Sequence, residues 1–340
     1  MRPTLKCLAL ILVACFALTT FCGCASSAAI RVGKIAISEN DYFYWLLSYK
    51  MSQLQNVGGT VEEGFWDTPV SEGITVADSI KTAAIDQAVT FAVTDYLFEQ
   101  EGLSFTSEEL TEINKEISSA QASSSFASTL KKFGISSSDY TRMYYQQKRY
   151  YKVFANHFGT EGLTPVTDEA VRQFYEDEYV RVKHIQLKLV DSAGKALDSA
   201  TVAAKRTQAQ TLLAEALSAS AEDFDAMISE YSEDSGKSTY PEGYIFNNTM
   251  SFPKEFMTAS FEMEVGEVRL VETSAGLHIL RKEALEPDTY LTDTRLTQIK
   301  AAYAQQQFSL LVKEKREELG VTFNEKILNK YNVATITYLS

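Results

Sequence analysis

The sequence predicts an α+β chain: a helical body drawn from both ends of the polypeptide, with a sheet-bearing segment inserted between. Helix-period apolar spacing with start and stop signals fills residues 35–175 and returns over 293–331. Between these stretches, two of the three histidines sit in short runs with strand-like alternation. A length of 340 residues leaves room for two cores.

Gly33-Lys-Ile-Ala-Ile-Ser38 reads as a short opening strand. Ser38-Glu-Asn-Asp41 is a capping box, in which hydroxyl and acid satisfy each other's backbone N–H groups. It opens a helix through Tyr42-Phe-Tyr-Trp-Leu-Leu-Ser-Tyr49, which holds more aromatic rings than one buried stripe needs. A stretch with Gly and Pro, 58–73, interrupts the pattern. Thr75-Val-Ala-Asp78 starts a long helix with Ile80, Ala84, Ala88, Phe91 and Leu97 near one side, stopped by Gly102. Thr106-Ser-Glu-Glu109 is another capping box, and the short helix that follows ends at Gly134. Ser138-Asp139 opens a tyrosine-rich helix running to Phe158-Gly159. The rings of these two aromatic helices, Tyr42 to Trp45 and Tyr144 to Phe154, are expected either to line a groove for apolar chains or to pack between helices. Thr164-Pro-Val-Thr167 is a linker before a helix over 168–176. After Pro287, residues 293–319 read as one helix with Leu296, Ile299, Tyr303, Phe308 and Leu311 along it, and Gly320 ends it. Residues 321–331 read as one more short helix. These last helices cannot bury their stripes alone, so they are expected to pack on the N-terminal ones.

The inserted segment carries a denser signal. In Val180-Arg-Val-Lys-His184-Ile-Gln-Leu-Lys-Leu189 the residues Ile185, Leu187 and Leu189 take one strand face and His184 the other. A helix pattern follows, then Phe224-Asp-Ala-Met-Ile-Ser-Glu-Tyr231 and Ser232-Glu-Asp-Ser-Gly236. Tyr240-Pro-Glu-Gly-Tyr-Ile-Phe246, a helix over 253–261, Val265-Gly-Glu-Val268, Val271-Glu-Thr273 and Gly276-Leu-His278-Ile-Leu280 complete it. This order resembles the parvulin family of peptidyl-prolyl cis-trans isomerases. The resemblance implies a four-stranded antiparallel sheet with strands near 180–190, 241–246, 267–273 and 277–284. A helical body split around such a module resembles PrsA-type foldase lipoproteins and, more distantly, SurA-type chaperones. The implied layout is a helical chaperone-like domain over 24–177, a parvulin-like domain over 178–286, and C-terminal helices over 287–340.

The resemblance also assigns roles. His184 and His278 are expected side by side beneath a proline pocket, hydrogen-bonded to one another and to Thr273, fixing the pocket floor rather than transferring a proton. Phe256 matches a pocket-lining phenylalanine. The family's pocket methionine falls on Phe252, with Met250 two residues earlier, and the distance from Gly243 favours Met250. The acid or cysteine that parvulins place two residues before this glycine is Pro241 here, which leaves Glu242 to supply the carboxylate. No cofactor is implied. Three scattered histidines without paired carboxylates indicate no metal site, and His157, near a helix C-terminus, reads as structural.

All four cysteines, Cys7, Cys15, Cys22 and Cys24, lie in or beside an N-terminal apolar run that follows Arg2 and Lys6. The run is too short for a comfortable span. Gly23-Cys24 resembles the end of a bacterial lipoprotein signal over 1–23, with lipid on the Cys24 thiol. The chain is then extracytoplasmic and anchored to the cell membrane, with neither disulfides nor a cysteine nucleophile in its body. A formal charge of −13 without basic clusters argues against nucleic acid as a partner. The expected partners are unfolded or partly folded exported polypeptides containing proline. The expected activity is X–Pro isomerisation with assisted folding. The alternatives are a holdase whose parvulin module only binds peptide, and an adhesive surface lipoprotein.

Overall fold

The computed structural model describes residues 28–339. The expected signal over 1–23 and the expected lipid site at Cys24 lie outside the described residues. The chain divides into two compact units, one holding the residues up to Val153 together with those from Leu311, the other holding Phe154–Leu310.

The first unit opens with a hairpin of β1 (Ala28–Val32) and β2 (Ile35–Ser38), where a single strand was expected. Gly33 turns it at φ +55°, a conformation that L side chains rarely adopt. α1 (Glu39–Asn56) follows. The 58–73 interruption runs into a short hairpin of β3 (Pro69–Ser71) and β4 (Ile74–Thr75). Then come α2 (Val76–Gln100), α3 (Ser107–Gln121), α4 (Phe126–Phe133) and α5 (Ser137–Phe158). The capping boxes form at Ser38–Asp41, Thr75–Asp78 and Thr106–Glu109. α5 starts slightly before the expected point, because Ser136 pairs with Asp139 at 2.7 Å and receives its backbone N–H. The aromatic surplus is used between helices. Tyr44 meets Phe133, Trp45 meets Phe91, and Phe91 meets Tyr150, with ring centroids 5.4, 5.5 and 5.9 Å apart. Tyr144 donates to Glu116 and Tyr145 to Asn114. Within this set only Tyr151 is strongly exposed, at 57%.

The second unit contains α6 (Asp168–Glu178), β5 (Tyr179–Lys188), α7 (Ser199–Ala216), α8 (Ala221–Tyr231), β6 (Tyr244–Asn247), α9 (Lys254–Glu262), β7 (Val268–Glu272), β8 (Gly276–Glu283) and α10 (Pro287–Tyr290). Its sheet is antiparallel with order β6-β5-β8-β7. Ile185, Leu187 and Leu189 face α7 and α8, packing with Leu212, Ala216 and Phe224. The opposite face is apolar too: Val180, Val182 and Leu280 pack with Phe246, Phe256 and Met263. His184 is therefore set among apolar residues on a strand buried from both sides.

α11 (Asp293–Leu319) is one continuous helix, as the spacing predicts. Its first half packs on α6, the last helix of the expected 24–177 domain, but α6 itself belongs to the second unit. Ile299, with Leu296 and Tyr303, packs with Val171, Phe174, Tyr175 and Tyr179 of α6 and β5. Beyond Leu311 the chain rejoins the first unit. Residues 321–331 are not a helix throughout: β9 (Val321–Phe323) pairs antiparallel with β1, and only α12 (Glu325–Leu328) is helical. Val-Thr-Phe suits a pleated edge, and the open side of β1 supplies the partners. Tyr331 then covers Phe43 at 4.9 Å, and its hydroxyl donates to Glu39 at 2.5 Å.

Ile299 is 2% exposed, so Ile299→Ala opens a cavity in the second unit. We expect a loss of about 2–5 kcal/mol of stability. Hydrogen exchange at the amides of α6 and β5 should report it. Unchanged protection there would place Ile299 outside that core.

Candidate active site

β5 and β8 set the geometry. Their register pairs His184 with Leu280 and Gln186 with His278, so the two histidines are diagonal neighbours on one face. Their rings lie 5.4 Å apart and edge-on at 75°. The expected hydrogen bond between them is not formed: His278 Nε2 faces Thr273, and neither His184 nitrogen has a hydrogen-bond partner among the described residues. Thr273 Oγ1 lies 3.0 Å from His278 Nε2, as expected, and accepts the N–H of Ala275. Phe256 stands edge-on to both imidazoles, at 5.3 and 5.5 Å.

β6 pairs only with the first part of β5, up to Val182. Beyond it the edge of β5 is taken by the run after α8. Gln186 N–H donates to Ser232 Oγ at 3.0 Å, and Glu233 N–H donates to Gln186 O at 2.8 Å. Lys188 N–H closes on the Glu233 carboxylate at 2.6 Å. This pinning brings the Asp234 carboxylate to 3.6 Å from His184 Nε2. Tyr244 donates its hydroxyl to Asp234 at 2.7 Å, and Gly236 N–H donates at 2.9 Å. A Cβ on Gly236 would come within 1.9 Å of the Tyr244 hydroxyl, so glycine is what lets this bond form.

The carboxylate beside His184 is thus that of Asp234, where Glu242 was expected. Glu242 pairs with Arg295 at 3.3 Å. Pro241, Gly243 and Tyr240 border a cleft of about 190 Å³ that also touches His184, Asp234, Tyr244, Lys183 and Lys237. Phe252, and not the expected Met250, joins the aromatic cluster around Phe256. Phe252 stacks on Phe256 at 5.4 Å and 12° and lies 4.4 Å from the Phe246 ring, whereas Met250 is 44% exposed and outside the cluster. Met250 sits in the turn that follows β6, where its N–H donates to Asn247 O at 3.2 Å. His157 lies in the last turn of α5, apart from this site. Asp234 and Tyr244 were not singled out from the sequence. The Ser232-Glu-Asp-Ser run carried the signal, but proximity to Gly243 drew attention to Glu242 instead.

The PPIC-type PPIASE domain profile matches residues 169–284, which span the whole of this sheet. This segment is a parvulin-type peptidyl-prolyl isomerase domain. Among solved structures the chain is similar to the peptidylprolyl isomerase PrsA of Bacillus anthracis, at 17% identity over 68% of this chain and 95% of that one, TM-score 0.31. It is also similar to the foldase protein PrsA of Lactococcus lactis, at 17% identity over 90% and 99%, TM-score 0.27. A SurA-like chaperone of Campylobacter jejuni gives 16% identity over 86% and 96%, TM-score 0.24. Superpositions this loose carry no weight, and the assignment rests on the domain match. Among curated proteins none matches the chain.

Within the parvulin domain both imidazoles are driven toward the neutral form. Burial pushes His184 down to about 4, opposed by the Asp234 carboxylate. Burial also lowers His278 to about 4, helped by neighbouring His184 and opposed by Asp234. Burial, then its bond to Asp234, raises the Tyr244 phenol. The arrangement offers no activated nucleophile. It offers an apolar wall, two neutral rings and one carboxylate held by Tyr244 and Gly236. Such a surface can strip water from an amide, which disfavours the dipolar planar form relative to the twisted one.

The depressed histidines link stability to pH. Their folded values lie below the unfolded 6.5, so acid favours the unfolded chain. The contribution is complete above pH 6.5 and is lost as the pH falls from there toward 4. It amounts to about 3 kcal/mol for each ring. We expect the midpoint of urea unfolding to drop across that window, and His278→Gln to flatten the drop. An unchanged slope in the variant would mean that His278 titrates normally in the fold.

Proposed function

We propose that this chain is an extracytoplasmic foldase that catalyses cis-trans isomerisation of X–Pro bonds and assists the folding of exported proteins. The observation that carries the reading is the pair of buried, neutral histidines beside Asp234, inside a parvulin domain. Rotation about an X–Pro bond takes tens to hundreds of seconds unaided, against a barrier of roughly 18–20 kcal/mol, and needs no covalent step. In our reading the proline ring rests on Phe252 above Phe256, and the bond twists over His184 and His278. Thr273 orients the second ring, and Asp234 faces the amide. The proposed boundaries are a signal over 1–23, helical parts over 24–177 and 287–340, and the isomerase over 178–286.

One observation favours a second reading, a module that only binds peptide. Phe252 lies flat on Phe256, and Phe256 is 2% exposed, so the aromatic wall is closely packed.

Protease-coupled isomerisation of a proline tetrapeptide separates the two. Wild type should accelerate the cis-to-trans step. His278→Ala and Phe256→Ala should each slow it at least tenfold, equivalent to about 1.4 kcal/mol in barrier. Gly236→Ala should also slow it, by displacing Tyr244 from Asp234, while Glu242→Gln should leave it unchanged. Peptide binding without acceleration by the wild type would favour the binder.

We further propose that the chain is held at the membrane by lipid on Cys24. The supporting features are the short apolar run after Arg2 and Lys6 and the Gly23-Cys24 pair. Metabolic labelling with a palmitate analogue should mark the wild type and not Cys24→Ala, and the variant should leave the membrane fraction. Label retained by Cys24→Ala would reject this anchor.

A further inference from the structure

We propose that residues 332–339 are a displaceable self-ligand of a groove on α1 and α4, and that an extended apolar stretch of an unfolded chain takes their place. The proposal rests on the foldase reading and names where the helical unit would hold its client.

The segment makes a turn, with the Thr335 and Ile336 N–H groups donating to Asn332 O, and then runs on without regular structure to Leu339. Val333, 1% exposed, anchors its start. Beyond that anchor it is held largely through its main chain. The buried Lys50 ammonium donates to the carbonyls of Ala334 at 3.1 Å and Ile336 at 2.6 Å. Leu339 N–H donates to Lys132 O at 2.9 Å. Any polypeptide carries these groups, so the contacts do not select a sequence.

The side chains add an apolar preference. Tyr338 meets the Phe133 ring edge-on at 5.3 Å, with the Lys132 ammonium 5.6 Å over its own ring. Leu339 lies against Gly134, where a Cβ would come within 2.8 Å of its Cδ1. Yet Tyr338 and Leu339 remain 43% and 47% exposed. A ligand so incompletely covered gains little from apolar burial and is easily exchanged. Beside Tyr338 the groove continues as an open cavity of about 690 Å³, bounded by Ser48, Met51, Leu54, Gly58 and Phe133. No neighbouring atom lies within 4 Å of where a Cβ on Gly58 would sit, so that end stays wide. The groove thus has more apolar wall than the segment covers, and carbonyl-binding and N–H-binding groups spaced along it. That is the chemistry of a site for extended, apolar, sequence-diverse peptide.

The test uses a chain truncated after Val333, which keeps the buried anchor and vacates both Lys50 contacts, and a fluorescein-labelled peptide of residues 334–340. Anisotropy should show the peptide binding the truncated chain at least tenfold more tightly than the intact one. A reduced, carboxymethylated and permanently unfolded protein should compete for the same site. Leu54→Glu in the truncated chain should abolish both. In case truncation disturbs folding, the full-length double variant Tyr338→Ser, Leu339→Ser should show the same gain in client binding. Equal binding by intact, truncated and double-variant chains, or weaker binding without the segment, would overturn the proposal. Turnover of the proline tetrapeptide should be the same in all these forms. Its absence from every form, with the binding gain intact, would count against the isomerase reading alone.

Discussion

The pairing of β5 with β8 is the constraint on which the site depends. It fixes the diagonal placement of His184 and His278, and it seals the core on both faces of the sheet. The unequal lengths of β5 and β6 matter as much. A ten-residue strand paired with a four-residue one leaves an unfilled edge, and unpaired backbone groups at such an edge need partners. The run from Ser232 to Asp234 supplies them. The carboxylate of the site is thus delivered by the same hydrogen bonds that complete the sheet.

A dry setting has a cost. The two rings leave three nitrogens without a protein hydrogen-bond partner, His184 Nδ1 and Nε2 and His278 Nδ1. Buried polar atoms of this kind are uncommon and tend to mark sites where function outweighs stability. Of the three, His184 Nε2 borders the carboxylate, 3.6 Å from Asp234. The neighbouring Phe246, Phe252 and Phe256 offer no competing polar contact.

Most of the fold was legible in the sequence because its signals are local. Capping boxes at Ser38, Thr75 and Thr106, glycine stops at Gly134 and Gly320, and the alternation around His184 each report a structure set by neighbouring residues. What was misread depends on distant partners. Val321 to Phe323 becomes a strand only because β1 has an open edge almost three hundred residues earlier. α6 joins the second unit because Val171, Phe174 and Tyr175 pack with Tyr179 of β5 and Ile299 of α11, which no periodicity in α6 reveals. In the site, His184, His278, Thr273 and Phe256 were legible from strand and helix positions. Asp234 and Phe252 lie on loops, where counting from Gly243 misleads. Glu242 and Met250 had suitable chemistry, but the backbone turns them elsewhere.

The three-stranded sheet β2-β1-β9 joins the first described strand to one of the last. Its closure bridges a very long loop of intervening chain, and contacts of such high sequence separation form late. A polypeptide emerging N-terminus first would expose β1, α1 and the rings of Tyr42 and Phe43 long before β9 and Tyr331 arrive to cover them. The sheet around His184 has its strands within about a hundred residues and can close while synthesis is still under way. The helical unit, though begun first, is then the last part to be completed, and for that interval it is itself an unfinished chain with exposed apolar surface.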